Sequence, residues 1–228
     1  MPFPDDTGVR LEDHRGPLLS ALATLWDQVE RMVMLNVAWA IHLLPLLGAV
    51  GFPELPRWLR IGMIAYSALA IAPATGVLFG ALWQACDQEL LSVELVRETL
   101  QRVGVASYTR LAPLYSLFVW LSLLALWAAR RDLFVLDTVA RLLFLLLGVC
   151  AMYWGPIFAE DPDRSLPAIV RRSVAVVLRY PLPSLLLSIG VVLALTLGLI
   201  SVGGIFLVVP VLVALLQIQH YKGSGLPG

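Results

Sequence analysis

Residues 182–218 read LPSLLLSIGVVLALTLGLISVGGIFLVVPVLVALLQI, an apolar run with no Asp, Glu, Lys or Arg. A helix needs only about 20 apolar residues, rising 1.5 Å each, to cross a hydrocarbon core of roughly 30 Å. The run is too long for one upright crossing. It is read as two short helices, 182–200 and 203–219, turning at Gly203-Gly204 behind Ser201. One long tilted helix is the competing reading, and it leaves the C-terminus on the opposite side of the bilayer.

Working outward, four further segments have the length and apolarity of spans. They cover 32–50, ending at Gly51, Pro53 and Pro56; 59–83; 111–129, stopped by Arg130, Arg131 and Asp132; and 134–158, ahead of Glu160, Asp161 and Asp163. The expected fold is all-α, a polytopic transmembrane bundle of six spans arranged as three hairpins. Residues 1–31 form a tail with an amphipathic helix, 32–222 the membrane domain and 223–228 a short C-terminal tail. Composition agrees: 59% of the 228 residues are hydrophobic and 14% charged, whereas soluble domains carry about 25% charged residues.

Two connections carry a helical apolar stripe of their own. In 88–110, Leu91, Val93, Val96, Leu100 and Val103 recur among Glu94, Glu98, Gln101 and Arg102; in 163–180, Leu166, Ile169, Val170, Val174 and Val177 recur among Arg164, Arg171, Arg172 and Arg179. Asp163 is the expected cap of the second. Such helices either lie flat on a leaflet, where arginines meet anionic headgroups, or pack against the bundle ends. Pro17–Met32 reads as a third. The larger share of the arginines then falls on the side of the termini, which the positive-inside rule makes cytoplasmic. The acidic residues before the first apolar run are unlike a cleaved signal peptide.

Within the spans, Ala72, Gly76 and Gly80 fall every four residues and give one smooth helix face. Pro73 breaks the hydrogen-bond ladder beside them, and the Thr75 hydroxyl is placed to compensate. This stretch fits close helix packing and also the broken helix of a substrate path. Asn36, Trp39 and His42 are the polar groups of the first span. Asn36 requires a partner inside the bundle, and His42 is either a helix contact or a proton relay. Asp137 and Arg141, an i,i+4 pair, form an interfacial or intramembrane ion pair. Trp58, Trp83, Trp127 and Trp154, with Tyr108, Tyr153 and Tyr180, flank spans as interfacial anchors do. Pro156 and Pro210, like Pro73, sit in the second member of a hairpin. Cys86 and Cys150 read as buried thiols without a disulfide or metal role. No phosphate loop, HExxH or catalytic set is legible, so no cofactor, metal or enzymatic activity is expected. Sixteen basic residues balance sixteen acidic ones, which gives no bulk attraction for nucleic acid.

Asn36-Val-Ala-Trp39 in the first span, Pro73-Ala-Thr75-Gly76 in the second and Arg179-Tyr-Pro181 before the final apolar pair resemble the YesL-type family of small bacterial membrane proteins. The resemblance implies a multi-pass protein of the bacterial cytoplasmic membrane, linked to transport systems, with no catalytic residues to carry over. Three functions are weighed: a non-enzymatic accessory or scaffold protein binding a membrane transporter; a small permease component, alone or as a homo-oligomer; and an intramembrane enzyme. The lipid bilayer is a partner in all of them.

Overall fold

The computed structural model describes residues 17–87, 91–201, 204 and 207–224. Among them every regular element is helical: α1 Pro17–Asp27, α2 Val29–Ala40, α3 Leu44–Gly51, α4 Arg57–Ala85, α5 Val93–Arg130, α6 Phe134–Ala151, α7 Trp154–Glu160, α8 Leu166–Arg179, α9 Pro181–Ile200 and α10 Val209–Gly223. Among the described residues five stretches are long and apolar enough to cross a membrane: Val29–Gly51, Arg57–Ala85, Val93–Arg130, Phe134–Glu160 and Pro181–Gly198. The last helix, α10, has 15 residues and, at 1.5 Å each, is short of a full crossing. The Gly203 position of the expected turn, residues 88–90 of the expected surface helix, and most of the two tails lie outside the described residues.

Proline decides where the apolar stretches break. Pro45 has no N–H to offer the Ile41 carbonyl, and Ile41–Leu43 tightens into a 3₁₀ turn between α2 and α3. Pro156 likewise cannot serve the Met152 carbonyl. The chain turns at Met152–Tyr153, with Tyr153 N–H donating to Cys150 O at 3.1 Å, before α7 begins. The first and fourth expected spans are therefore each two helices. Pro73 and Pro113, by contrast, sit inside continuous helices.

The expected surface helix 88–110 is not separate from the span at 111–129. Both belong to the 38-residue α5, whose first turn is capped by Ser92 Oγ accepting from Leu95 N at 3.1 Å. No glycine-rich or capping sequence interrupts it near Arg110, so the amphipathic half simply continues into the apolar half. That half runs antiparallel along the second half of α4, where Gly80 faces Thr99 and Gly76 faces Ser107. It neither crosses the bundle end nor lies flat. The second amphipathic segment is a distinct helix, α8, with Ile169, Ser173 and Val176 buried against the bundle. Its N-cap is Ser165; Asp163 instead faces Arg110 at 3.6 Å.

Lys222 on α10 meets Asp87 just after α4, so the end of α10 lies beside the α4–α5 connection. We call this the near end; it also holds α1, α7 and α8. Most of the core sits here. One cluster joins Met32, Leu35, Leu78, Leu82, Leu215 and Ile218; the other joins Val103, Leu111, Trp154, Ile157, Phe158, Ile169 and Val176. Toward the far end the helices carry apolar side chains outward, and only 6% of the apolar window in Phe134–Glu160 is buried. Leu142, Leu145, Leu146, Leu193, Leu197 and Ile200 are all more than half exposed, a density of large exposed aliphatic side chains unlike a surface made for water. Such a surface suits hydrocarbon, and the molecule has the build of a membrane-associated protein.

Candidate functional site

Of the polar residues in the first expected span, Asn36 is completely buried. Its Oδ1 accepts from Val211 N at 3.0 Å. Val211 is the third residue of α10, behind Pro210, and its N–H has no intrahelical acceptor. Asn36 thus caps a helix that starts inside the bundle. Ser67 does the same for α3, its Oγ accepting from Leu46 N, behind Pro45, at 3.1 Å. Trp39 Nε1 donates to Thr75 Oγ1 at 3.1 Å, tying α2 to α4. The Thr75 oxygen therefore receives the indole of a neighbouring helix. His42 Nδ1 pairs with Tyr66 Oη at 3.0 Å, on the exposed side of α4. Asn36→Ala is expected to leave Val211 N–H unsatisfied and cost about 1–3 kcal/mol; the thermal midpoint in detergent, compared with wild type, measures it.

The smooth face of α4 is used within the molecule. A Cβ built on Gly76 would stand 2.1 Å from Ser107 Oγ and 3.2 Å from Phe158 Cε1, and one on Gly80 2.7 Å from Thr99 Cγ2. Ala72 is also buried. Gly155, which the sequence did not single out, is as tight, with the Phe79 ring 2.4 Å from its Cβ position. The face is not free for a partner.

The densest polar constellation is one the motifs missed, at the near end. Glu160, the last residue of α7, receives Arg172 Nη2 on Oε1 at 3.2 Å and both Arg164 Nη1 at 3.3 Å and the Tyr221 hydroxyl at 3.0 Å on Oε2. Arg172 also lies over the Tyr221 ring at 5.6 Å. Arg164 reaches Asp161 as well, at 3.4 Å, and Arg110 donates to the Pro162 carbonyl. On the other side of α10, Lys222 Nζ lies 2.7 Å from Asp87 Oδ1 and 4.4 Å above the Trp83 ring. The α7–α8 connection through Arg164, α8 through Arg172 and the distant α10 through Tyr221 converge on one carboxylate. The only local trace of it is the acidic-basic run Glu160–Arg164 closing the fourth apolar segment.

Beside Glu160 is a cavity of about 110 Å³ lined by Gly80, Trp83, Gln84, Thr99, Arg102, Val103, Ala159, Glu160 and Pro162. Gln84 Oε1 is buried with no hydrogen-bond partner among the described residues. The space is large enough for a few waters, which would satisfy it. The Glu160 carboxylate is engaged by two guanidiniums and a phenol, so it serves as an anchor rather than a free base. Nearby Cys86 is pushed up to about 11, first by burial, and its thiol is protonated at neutral pH. Among the described residues no group of three His, Cys, Asp or Glu side chains is placed to hold a metal ion.

Asp137 and Arg141 pair at 2.8 Å in the first turns of α6, far from this constellation, with the guanidinium largely exposed. Trp58 and Trp127 are exposed, as interfacial anchors are, but Trp154 and Tyr153 are completely buried. The turn ahead of Pro156 swings them inward, where Tyr153 Oη meets Ser184 Oγ at 2.7 Å and Trp154 Nε1 meets Ser173 Oγ at 3.3 Å. They are core residues. Comparison with protein-family models, curated proteins and solved structures finds no match for this chain.

Proposed function

We propose that the chain is a non-enzymatic, six-span protein of the bacterial cytoplasmic membrane, an accessory or scaffold component of a transport system, with both termini cytoplasmic. The observation that carries this reading is where its interior polar groups are spent. Asn36 on Val211, Trp39 on Thr75, Ser67 on Leu46 and Tyr153 on Ser184 are each used to join one helix to another. A permease needs such groups turned toward a hydrated path. The near end carries Arg97, Arg102, Arg110, Arg164, Arg171, Arg172, Arg179 and Lys222, which supports placing it in the cytoplasm. In that arrangement α10, the last apolar helix, belongs to the sixth span. The transport link rests on the resemblance to YesL-type proteins. The exposed apolar faces of α6 and α9 are where a membrane partner would lie.

Purification in mild detergent from native expression, with mass spectrometry of whatever co-elutes, tests the reading. A stoichiometric transporter is the expected result. A homo-oligomer with no partner, which moves solute when reconstituted in liposomes, would sink it in favour of a permease.

A further inference from the structure

The arginines of α8 divide into two sets. Arg172 turns inward to Glu160 and Tyr221. Arg171 and Arg179 are exposed and form no ion pair among the described residues; Arg179 rests over the ring of Tyr180. Between them on the same outward face, at the spacing i, i+3, i+7 and i+8, lie Val174 and Leu178, and Leu178 is 75% exposed. A helix already docked by Ile169, Ser173 and Val176 thus presents a second apolar strip bordered by cations. That strip does not end at α8. Tyr180 leads directly into α9, where Leu182, Leu185 and Leu186 continue the exposed apolar surface. Leu178 therefore stands where the apolar belt of the bundle meets its charged near end.

We propose that this face of α8 is a lipid-binding surface for anionic headgroups: Val174 and Leu178 enter the boundary between headgroups and acyl chains, while Arg171 and Arg179 hold lipid phosphates. The occupant follows from charge and continuity. Cations flanking exposed aliphatic side chains, contiguous with a hydrocarbon-facing helix, match the chemistry of an anionic leaflet. The inward face of the same helix fixes the depth at which they act. The inference rests on the membrane reading above but not on the accessory role.

The test uses the full chain in phosphatidylcholine vesicles with and without phosphatidylglycerol. Enrichment of phosphatidylglycerol in lipid retained on the purified protein is expected to fall about fivefold for each of Arg171→Gln and Arg179→Gln, and about twenty-fivefold for both. Arg→Lys at the two positions should keep most of it, because charge rather than fork geometry sets the attraction. A nitroxide on Leu178→Cys, in a background with Cys86→Ala and Cys150→Ala, should show the oxygen accessibility of the interface. Unchanged enrichment in the double Gln variant, or a nitroxide fully in water, overturns the proposal while the protein still floats with vesicles. A chain that does not float with vesicles at all instead overturns the membrane reading beneath it.

Discussion

Gly76→Leu is expected to abolish the detergent-stable fold, at a cost of at least about 3 kcal/mol, because it drives a branched side chain into a close helix crossing. Even the first added carbon has no room. It would stand 2.1 Å from Ser107 Oγ and 3.2 Å from Ser107 Cβ, with Phe158 at 3.2 Å on the other side. Ser107 cannot easily yield, since its side chain is completely buried and its hydroxyl donates to the Val103 carbonyl at 2.7 Å. α4 and α5 must then move apart, and the cluster around Val103, Leu111, Trp154 and Phe158 opens with them. The measurement is the fraction recovered as a monodisperse peak after mild heating in detergent. Gly190→Leu and Gly148→Leu are the controls, because a Cβ at either position meets nothing within 4 Å. Gly76→Ala combined with Ser107→Gly should recover much of the loss, as expected for residues in direct contact. Equal recovery of Gly76→Leu and Gly190→Leu would show that the crossing is not where we place it.

The second large effect is at Glu160. Removing its carboxylate takes this ion-pair partner from Arg172, leaves Arg164 with Asp161 alone and Tyr221 without its acceptor, with the side chains of Glu160, Arg164 and Arg172 each less than a quarter exposed. Stranding one partner of a fully buried pair costs about 3–5 kcal/mol. Partial solvent access at Glu160 reduces this, and about 2 kcal/mol is expected for Glu160→Ala. That corresponds to a fall of roughly 5 °C in thermal midpoint for a chain of this length. Glu160→Leu combined with Arg172→Leu should be less destabilising than Glu160→Ala, since no guanidinium is then left facing an apolar replacement from α8. If Glu160→Ala melts with the wild type, α7, α8 and α10 are held together by their apolar contacts alone.

Both predictions show how far local sequence reaches. The Ala72-Gly76-Gly80 face was legible, because a period of four on a helix is a local property, and its partner on α5 was the unknown. The spans were legible for the same reason: each apolar residue favours hydrocarbon independently of its neighbours. The breaks at Pro45 and Pro156 were less so, since Pro73 and Pro113 are chemically identical and remain inside straight-through helices. Whether a proline ends a helix depends on what else satisfies the carbonyl it deprives. Trp154 and Tyr153 have the sequence positions of interfacial anchors and are core residues, because an aromatic residue next to a span looks the same whether the following turn swings it to lipid or to the core. Glu160 is only partly legible: Arg164 stands at the local i,i+4 spacing, but no spacing along the chain brings Arg172 on α8 and Tyr221 on α10 to the same carboxylate.

By itself, then, the sequence determined a helical protein with several apolar stretches of membrane-crossing length, their approximate limits, and a helix face made for close approach. Those follow from transfer free energies and from periodicity, which act residue by residue. The tertiary structure alone decided that the face is consumed by α5, that the amphipathic segment before Leu111 is the first half of a single 38-residue helix, and that Asn36 caps a helix 175 residues away. Each of these is a matter of which polar or small group meets which, and in an apolar surrounding every such group must find its partner wherever the fold brings one.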